Sequence, residues 1–133
     1  MGDGINRMET KKKILIIDDD KIFSKILRDW LTAGGGKYEV VAVFDGEEGF
    51  DTASRERPDL ILCDLMMPKV GGIEFLKKLR AEPWGKDIPV IIQTQLSDLE
   101  KMSEGAELGV RGYIIKSDYL MEDILKQVEE VLK

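Results

Sequence analysis

ILIIDDDKIF occupies residues 14–23. Four successive apolar residues stop at three carboxylates, Asp18, Asp19 and Asp20. Apolar residues at every position, rather than at alternate ones, predict a strand buried on both faces, running here over 13–18. Carboxylates this close repel one another, which raises the cost of keeping all three ionised. The pattern therefore asks what each of them does at the end of a buried strand.

The rest of the chain repeats the same grammar. DKIFSKILRDWLTA follows the carboxylates, with Ile22, Ile26 and Trp30 on one helical face and Phe23 and Leu27 beside them. Gly34, Gly35 and Gly36 are expected to end that helix, because glycine accepts the left-handed stop conformation cheaply. YEVVAV (38–43) is the second strand, and GEEGFDTASRER a helix with a thin apolar stripe before Pro58. DLILC (59–63) is the third strand. The helix GIEFLKKLRAE directs Ile73, Leu76 and Leu79 inward and stops before Pro83. IPVIIQT (88–94) is the fourth strand. The fourth helix opens on SDLE, where Ser97 and Glu100 form a capping box. Gly105 inside it costs about 1 kcal/mol relative to alanine, which suits an element that moves. GYIIK (112–116) is the fifth strand. YLMEDILKQVEEVLK closes the chain with Leu120, Ile124, Val128 and Val131 on one face. Strict alternation of strand and helix with short connections predicts an α/β domain, a parallel sheet covered by helices on both faces.

Bulk properties narrow the function. The chain has 133 residues, enough for one domain with its own core. A net charge of −6 argues against non-specific binding to nucleic acid or an anionic membrane. No segment approaches the roughly 20 apolar residues of a membrane span. MGDGINRMETKKK lacks the apolar core of a signal peptide and reads as a polar tail. Cys63 is the single cysteine, so no internal disulfide forms, which fits a reducing, cytoplasmic setting; within DLILC it reads as a small buried hydrophobe. The chain has no histidine, which removes histidine catalysis, ligation and phosphorylation from its own repertoire.

The polar residues collect at strand ends. Strand 1 ends in Asp18 and Asp19, strand 3 in Asp64, strand 4 in Thr94 and strand 5 in Lys116. Strand 2 ends near Asp45, at an edge. Ligands of such sheets bind at the carboxyl ends of the strands. With strand 1 beside strand 3, three carboxylates, a hydroxyl and an ammonium converge on one rim. Clustered carboxylates become tolerable around a divalent cation, and oxygen-only ligands suit Mg²⁺. A carboxylate beside the metal can act as nucleophile towards a phosphoryl group, with Thr94 and Lys116 serving its oxygens. Asp20 is expected to cap the first helix, as aspartate often does.

At these residues the chain resembles the receiver domain of bacterial two-component response regulators, in particular the single-domain chemotaxis type. The resemblance spans roughly residues 12–133 and leaves 1–11 as the tail. It is carried by LIIDDD, LILCDLMMPKVGG, PVIIQT and GYIIK. It implies a flavodoxin-like, three-layer doubly wound (βα)5 fold with sheet order 2-1-3-4-5. It implies that Asp64 accepts a phosphoryl group from a phosphohistidine on a histidine kinase or a histidine phosphotransfer protein. The domain would thus be a signalling phosphoacceptor rather than an enzyme acting on external substrates. Asp18 and Asp19 would hold Mg²⁺ (or Mn²⁺), with Asp19 and Asp64 as direct ligands and the backbone carbonyl of Met66 completing the protein's share. Thr94 would move to meet the phosphate and Tyr113, at the aromatic switch position, would turn inward. By periodicity alone Tyr113 reads equally as an ordinary strand aromatic. A downstream protein target would read the face of helix 4, strand 5 and helix 5.

Two positions depart from the family's pattern. Gln95 follows Thr94 where a small residue is usual, and is expected to narrow access to the site. Ser117 follows Lys116 where proline is usual, so a trans bond and an altered loop are expected. Met66 and Leu96 offer no group to orient an attacking water, which predicts slow self-dephosphorylation. Two other readings remain: an N-terminal receiver piece of a longer regulator, and a phosphohydrolase with an Asp nucleophile. The second lacks an acid–base side chain at Met66. A flavin-binding domain is excluded, because carboxylates after strand 1 would repel the flavin phosphate.

Overall fold

Why the site forms where it does is a matter of strand register. The computed structural model describes residues 11–33, 36–67, 69–95 and 99–133. Strands β1 (Lys12–Ile17), β2 (Tyr38–Val43), β3 (Leu60–Cys63), β4 (Val90–Thr94) and β5 (Gly112–Ile115) pair in parallel in the order β2-β1-β3-β4-β5. This is the expected doubly wound order. Ile17 lies opposite both Val43 and Cys63, Cys63 opposite Ile92, and Thr94 opposite Ile115. Asp18 and Asp64, each the next residue along, therefore leave the sheet side by side, with Thr94 and Lys116 on the adjoining strands.

Helices α1 (Lys21–Thr32), α2 (Gly46–Glu56), α3 (Gly72–Ala81), α4 (Leu99–Glu107) and α5 (Met121–Leu132) cover the sheet. One face packs Leu15, Ile17, Ile61, Cys63, Val90 and Ile92 against Ala53 of α2 and Phe75, Leu76 and Leu79 of α3. The other packs Ile14, Ile16, Leu60, Leu62, Ile91 and Ile114 against Leu27 and Leu31 of α1 and Ile124 and Val128 of α5. The continuous apolar strand runs follow from this coverage on both sides. Cys63 is fully buried, as expected.

Three inward faces differ from expectation. In α1 the buried residues are Ser24, Leu27 and Leu31, whereas Ile22, Ile26 and Trp30 are 75%, 43% and 48% exposed. The helix carries two apolar stripes, 22-26-30 and 23-27-31, about 100° apart, and only one can meet the sheet. In α5 Leu120 precedes the helix as its N-cap residue and is exposed, while Ile124 and Val128 alone are buried. In α3 Phe75 joins Leu76 and Leu79 in the core and Ile73 is only partly buried. The expected capping role of Ser97 and the stop at Gly34 and Gly35 fall outside the described residues. Gly36 adopts a left-handed φ of 82°. Among the described residues no peptide bond is cis; Lys116 instead opens a short 3-10 turn, Lys116–Asp118.

Arg80 fastens the far end of the molecule. Its guanidinium donates to the carbonyls of Leu108, Gly85 and Ile88 at 2.8, 2.9 and 2.7 Å, joining α3 to the chain entering β4 and leaving α4.

The two stripes of α1 are separable in stability. Leu27→Ala is expected to lower the unfolding free energy by about 2–5 kcal/mol. Ile26→Ala is expected to stay within about 1 kcal/mol of the parent. Urea denaturation of both variants checks the assignment, and equal losses would contradict it.

Candidate functional site

Asp18 is the first residue past β1, and its backbone N–H still donates to Val43 O at 3.1 Å. Its side chain is fully buried. One oxygen, Oδ1, accepts from the Asp20 N–H at 2.9 Å. The other, Oδ2, accepts from Gln93 Nε2 at 2.9 Å and lies 2.6 Å from Lys116 Nζ. Asp20 takes the capping role expected of it, accepting from the Phe23 N–H at 3.0 Å at the start of α1. Asp45 caps α2 in the same way, through the Glu48 N–H. Asp19, between them, is exposed and faces solvent.

Asp64 leaves β3 with its N–H bonded to Ile17 O at 2.9 Å. Its Oδ1 accepts from the Met66 N–H at 3.1 Å, and its Oδ2 lies 3.5 Å from Lys116 Nζ. Gly72 at the start of α3 presses against this backbone; a Cβ there would sit 2.4 Å from Asp64 O. Lys116 Nζ also lies 4.5 Å from the centre of the Phe23 ring. Thr94 is fully buried, near enough to Asp64 to favour its charged form but short of hydrogen-bond geometry.

The electrostatics favour a cation. Burial, and then the Asp18 charge, push the Asp64 carboxyl up from 3.8 to about 6, against the opposing pull of Lys116, the Met66 amide and Thr94. Carboxylate oxygens of Asp18, Asp19 and Asp64 lie within 4.8 Å of one another. An all-oxygen, triply acidic set with a single ammonium beside it fits a hard divalent cation. Asp18 already has its oxygens engaged by Asp20, Gln93 and Lys116, so Asp19 and Asp64 keep the freer lone pairs. A cleft of about 250 Å³ opens over them, lined by Asp19, Asp20, Asp64, Met66, Gln95 and Lys116.

The structure thus brings Asp18, Asp19, Asp64, Thr94 and Lys116 together. Gln95 lies at the mouth of this cleft, exposed. Leu96 falls outside the described residues. Tyr113 stands apart from the carboxylates: its ring is turned onto α4, and its hydroxyl donates to the Met102 carbonyl. Gly105 makes room for it, since a Cβ there would lie 2.5 Å from the Tyr113 oxygen. Gln93 and Phe23 are the site residues that sequence reasoning missed. The available signal for Gln93 was an amide inside an otherwise apolar strand.

Known proteins agree with this geometry. The response regulator receiver domain family matches residues 14–129. Transcriptional regulatory protein CiaR of Streptococcus pneumoniae is 39% identical over 121 residues, 91% of this chain and 51% of that protein. The chain spans about half the length of the curated relatives it matches. Chemotaxis protein CheY4 of Vibrio cholerae superposes with a TM-score of 0.83 at 31% identity, covering 92% of this chain and 99% of that one. The Mn²⁺-bound form of response regulator Rcp1 superposes with a TM-score of 0.76 at 30% identity, covering 90% and 91%. The chain belongs to the response regulator receiver domain family, the phosphoacceptor of two-component signalling, with an acidic metal site at Asp18, Asp19 and Asp64.

The raised Asp64 value has a thermodynamic consequence. The folded state binds this proton more tightly than the unfolded chain, so stability falls as pH rises from about 4 through about 6. In EDTA, Asp64→Asn removes that penalty. It is expected to stabilise the domain by on the order of 2 kcal/mol at about pH 7.5 and by far less near pH 4. Urea midpoints at the two pH values test this; a gain independent of pH would contradict it.

Proposed function

We propose that this receiver domain takes its phosphoryl group onto Asp64 from a phosphohistidine on a histidine kinase or histidine phosphotransfer protein. The P–N bond of the donor breaks, an O–P bond forms at an Asp64 carboxylate oxygen, and the imidazole leaves with its proton restored from solvent. The observation that carries the reading is the pairing of one buried ammonium, Lys116, with two buried carboxylates, Asp18 and Asp64. Asp18, Asp19, Asp64 and the Met66 backbone carbonyl would hold Mg²⁺ (or Mn²⁺), which would supply positive charge for the phosphoryl oxygens. Lys116 and the Thr94 hydroxyl, which has no partner among the described residues, serve the remaining oxygens.

The partner approaches over an apolar rim. Ile22, Ile26 and Trp30 leave an exposed apolar stripe along α1, and Leu120 and Met66 are exposed as well. Exposed apolar surface of this kind marks a protein contact. The output is a two-state change read on α4, β5 and α5 by a target protein. Tyr113 over Gly105 is the joint between those elements. The exposed Met66 side chain has no polar group to direct water at the aspartyl phosphate, so the phosphorylated state is long-lived. The receiver occupies residues 12–133, works in the cytoplasm, and neither enters a membrane nor contacts nucleic acid itself. No helix among the described residues is long and apolar enough to cross a membrane.

Intact-protein mass spectrometry after incubation with acetyl phosphate tests the assignment. The parent is expected to gain one phosphoryl group with Mg²⁺ and none in EDTA, and Asp64→Asn to gain none in either. An adduct surviving in Asp64→Asn, or no adduct on the parent with Mg²⁺, would overturn it.

A further inference from the structure

Gln93 is the fully buried amide of β4, on the sheet face shared by Ile91 and Ile114. An aliphatic side chain would fill this place at no polar cost. The amide instead sends Nε2 to Asp18 Oδ2 at 2.9 Å, and among the described residues its Oε1 has no partner. An unpaired buried carbonyl is unfavourable, so the contact with Asp18 has to return something.

The oxygen it reaches is the one Lys116 also holds, at 2.6 Å. Lys116 is the group that must serve the phosphoryl oxygens on Asp64, from which it now stands 3.5 Å. Once drawn there, it no longer fixes Asp18. Asp18 would keep the Asp20 N–H on Oδ1 alone and be free to swing about that bond. Gln93 prevents this, and being neutral it does so without cancelling the negative charge that attracts a cation.

We propose that Gln93 is a positioning residue: it holds Asp18 towards the metal independently of Lys116, and so releases Lys116 for the phosphoryl group. This rests on the reading of Asp64 as phosphoacceptor. Partners that orient a metal-binding carboxylate in this way are typically worth about 10–100-fold in metal affinity.

Gln93→Met keeps the length and removes the donor. Electron paramagnetic resonance of free Mn²⁺, titrated into unphosphorylated protein, is expected to show affinity weakened about tenfold. Stability to urea in EDTA is expected to change little, because removing the unpaired carbonyl offsets the lost hydrogen bond to Asp18. The rate of phosphorylation by acetyl phosphate should fall at low Mg²⁺ and recover at saturating Mg²⁺. Gln93 as mere core filling would lower urea stability and leave Mn²⁺ affinity in place, which overturns the proposal. A crystal structure of the parent with Mg²⁺ and beryllofluoride gives a test that needs no variant. Lys116 Nζ is expected to leave Asp18 for the fluorides while Gln93 Nε2 stays; Gln93 turned away from Asp18 would overturn the proposal. A parent that takes no phosphate fails the reading of Asp64. A phosphorylatable parent with unaltered Mn²⁺ affinity in Gln93→Met fails the role of Gln93 alone.

Discussion

The contact between Asp18 and Lys116, buried at 2.6 Å, is the constraint around which the rim is organised. Removing one partner of such a pair is costly, because it leaves a charge uncompensated in a poor solvent. Everything adjacent can be read as support for it. Gln93 and the Asp20 N–H complete the shell of Asp18, and Phe23 lies under the ammonium. Yet one ammonium faces two buried carboxylates and an exposed third. Burial first, and then the excess negative charge, raise the Asp64 carboxyl, and that charge is what a divalent cation relieves.

The sheet makes this arrangement by register rather than by loop design. Ile17 opposite Cys63 fixes Asp18 beside Asp64, and Thr94 opposite Ile115 brings Lys116 alongside. Two helix starts then lock the loops, with Asp20 capping α1 and Gly72 pressed onto the Asp64 backbone. The three consecutive carboxylates that end β1 consequently have three fates. Asp18 is buried and paired, Asp19 is open to solvent and free to ligate, and Asp20 is spent on the helix.

Strand positions and the five rim residues were legible because they depend on local pattern, whereas the sheet order was implied by the family resemblance. Unbroken apolar runs announce strands covered on both faces, and strand ends follow from where those runs stop. What escaped depends on phase and on three-dimensional neighbours. The α1 sequence holds two stripes of equal spacing, and spacing cannot choose between Leu27 and Ile26. Gln93 could not be told from a solvent-facing strand residue until the facing oxygen of Asp18 was known. Gly105 read as a helix weakened by about 1 kcal/mol; it is also the gap that admits the Tyr113 hydroxyl. Leu120 continues the α5 stripe in sequence but precedes the helix that would have turned it inward.

The folded domain carries an excess of negative charge at Asp18, Asp19 and Asp64 that a hard divalent cation would relieve. Urea unfolding across a Mg²⁺ titration tests it most directly, since a ligand bound only by the native state stabilises it by mass action. The midpoint is expected to climb and to keep climbing logarithmically once the site is saturated, with the climb abolished in Asp64→Asn and strongly reduced in Asp19→Asn. A midpoint indifferent to millimolar Mg²⁺, or one that rises equally in Asp64→Asn, would contradict it.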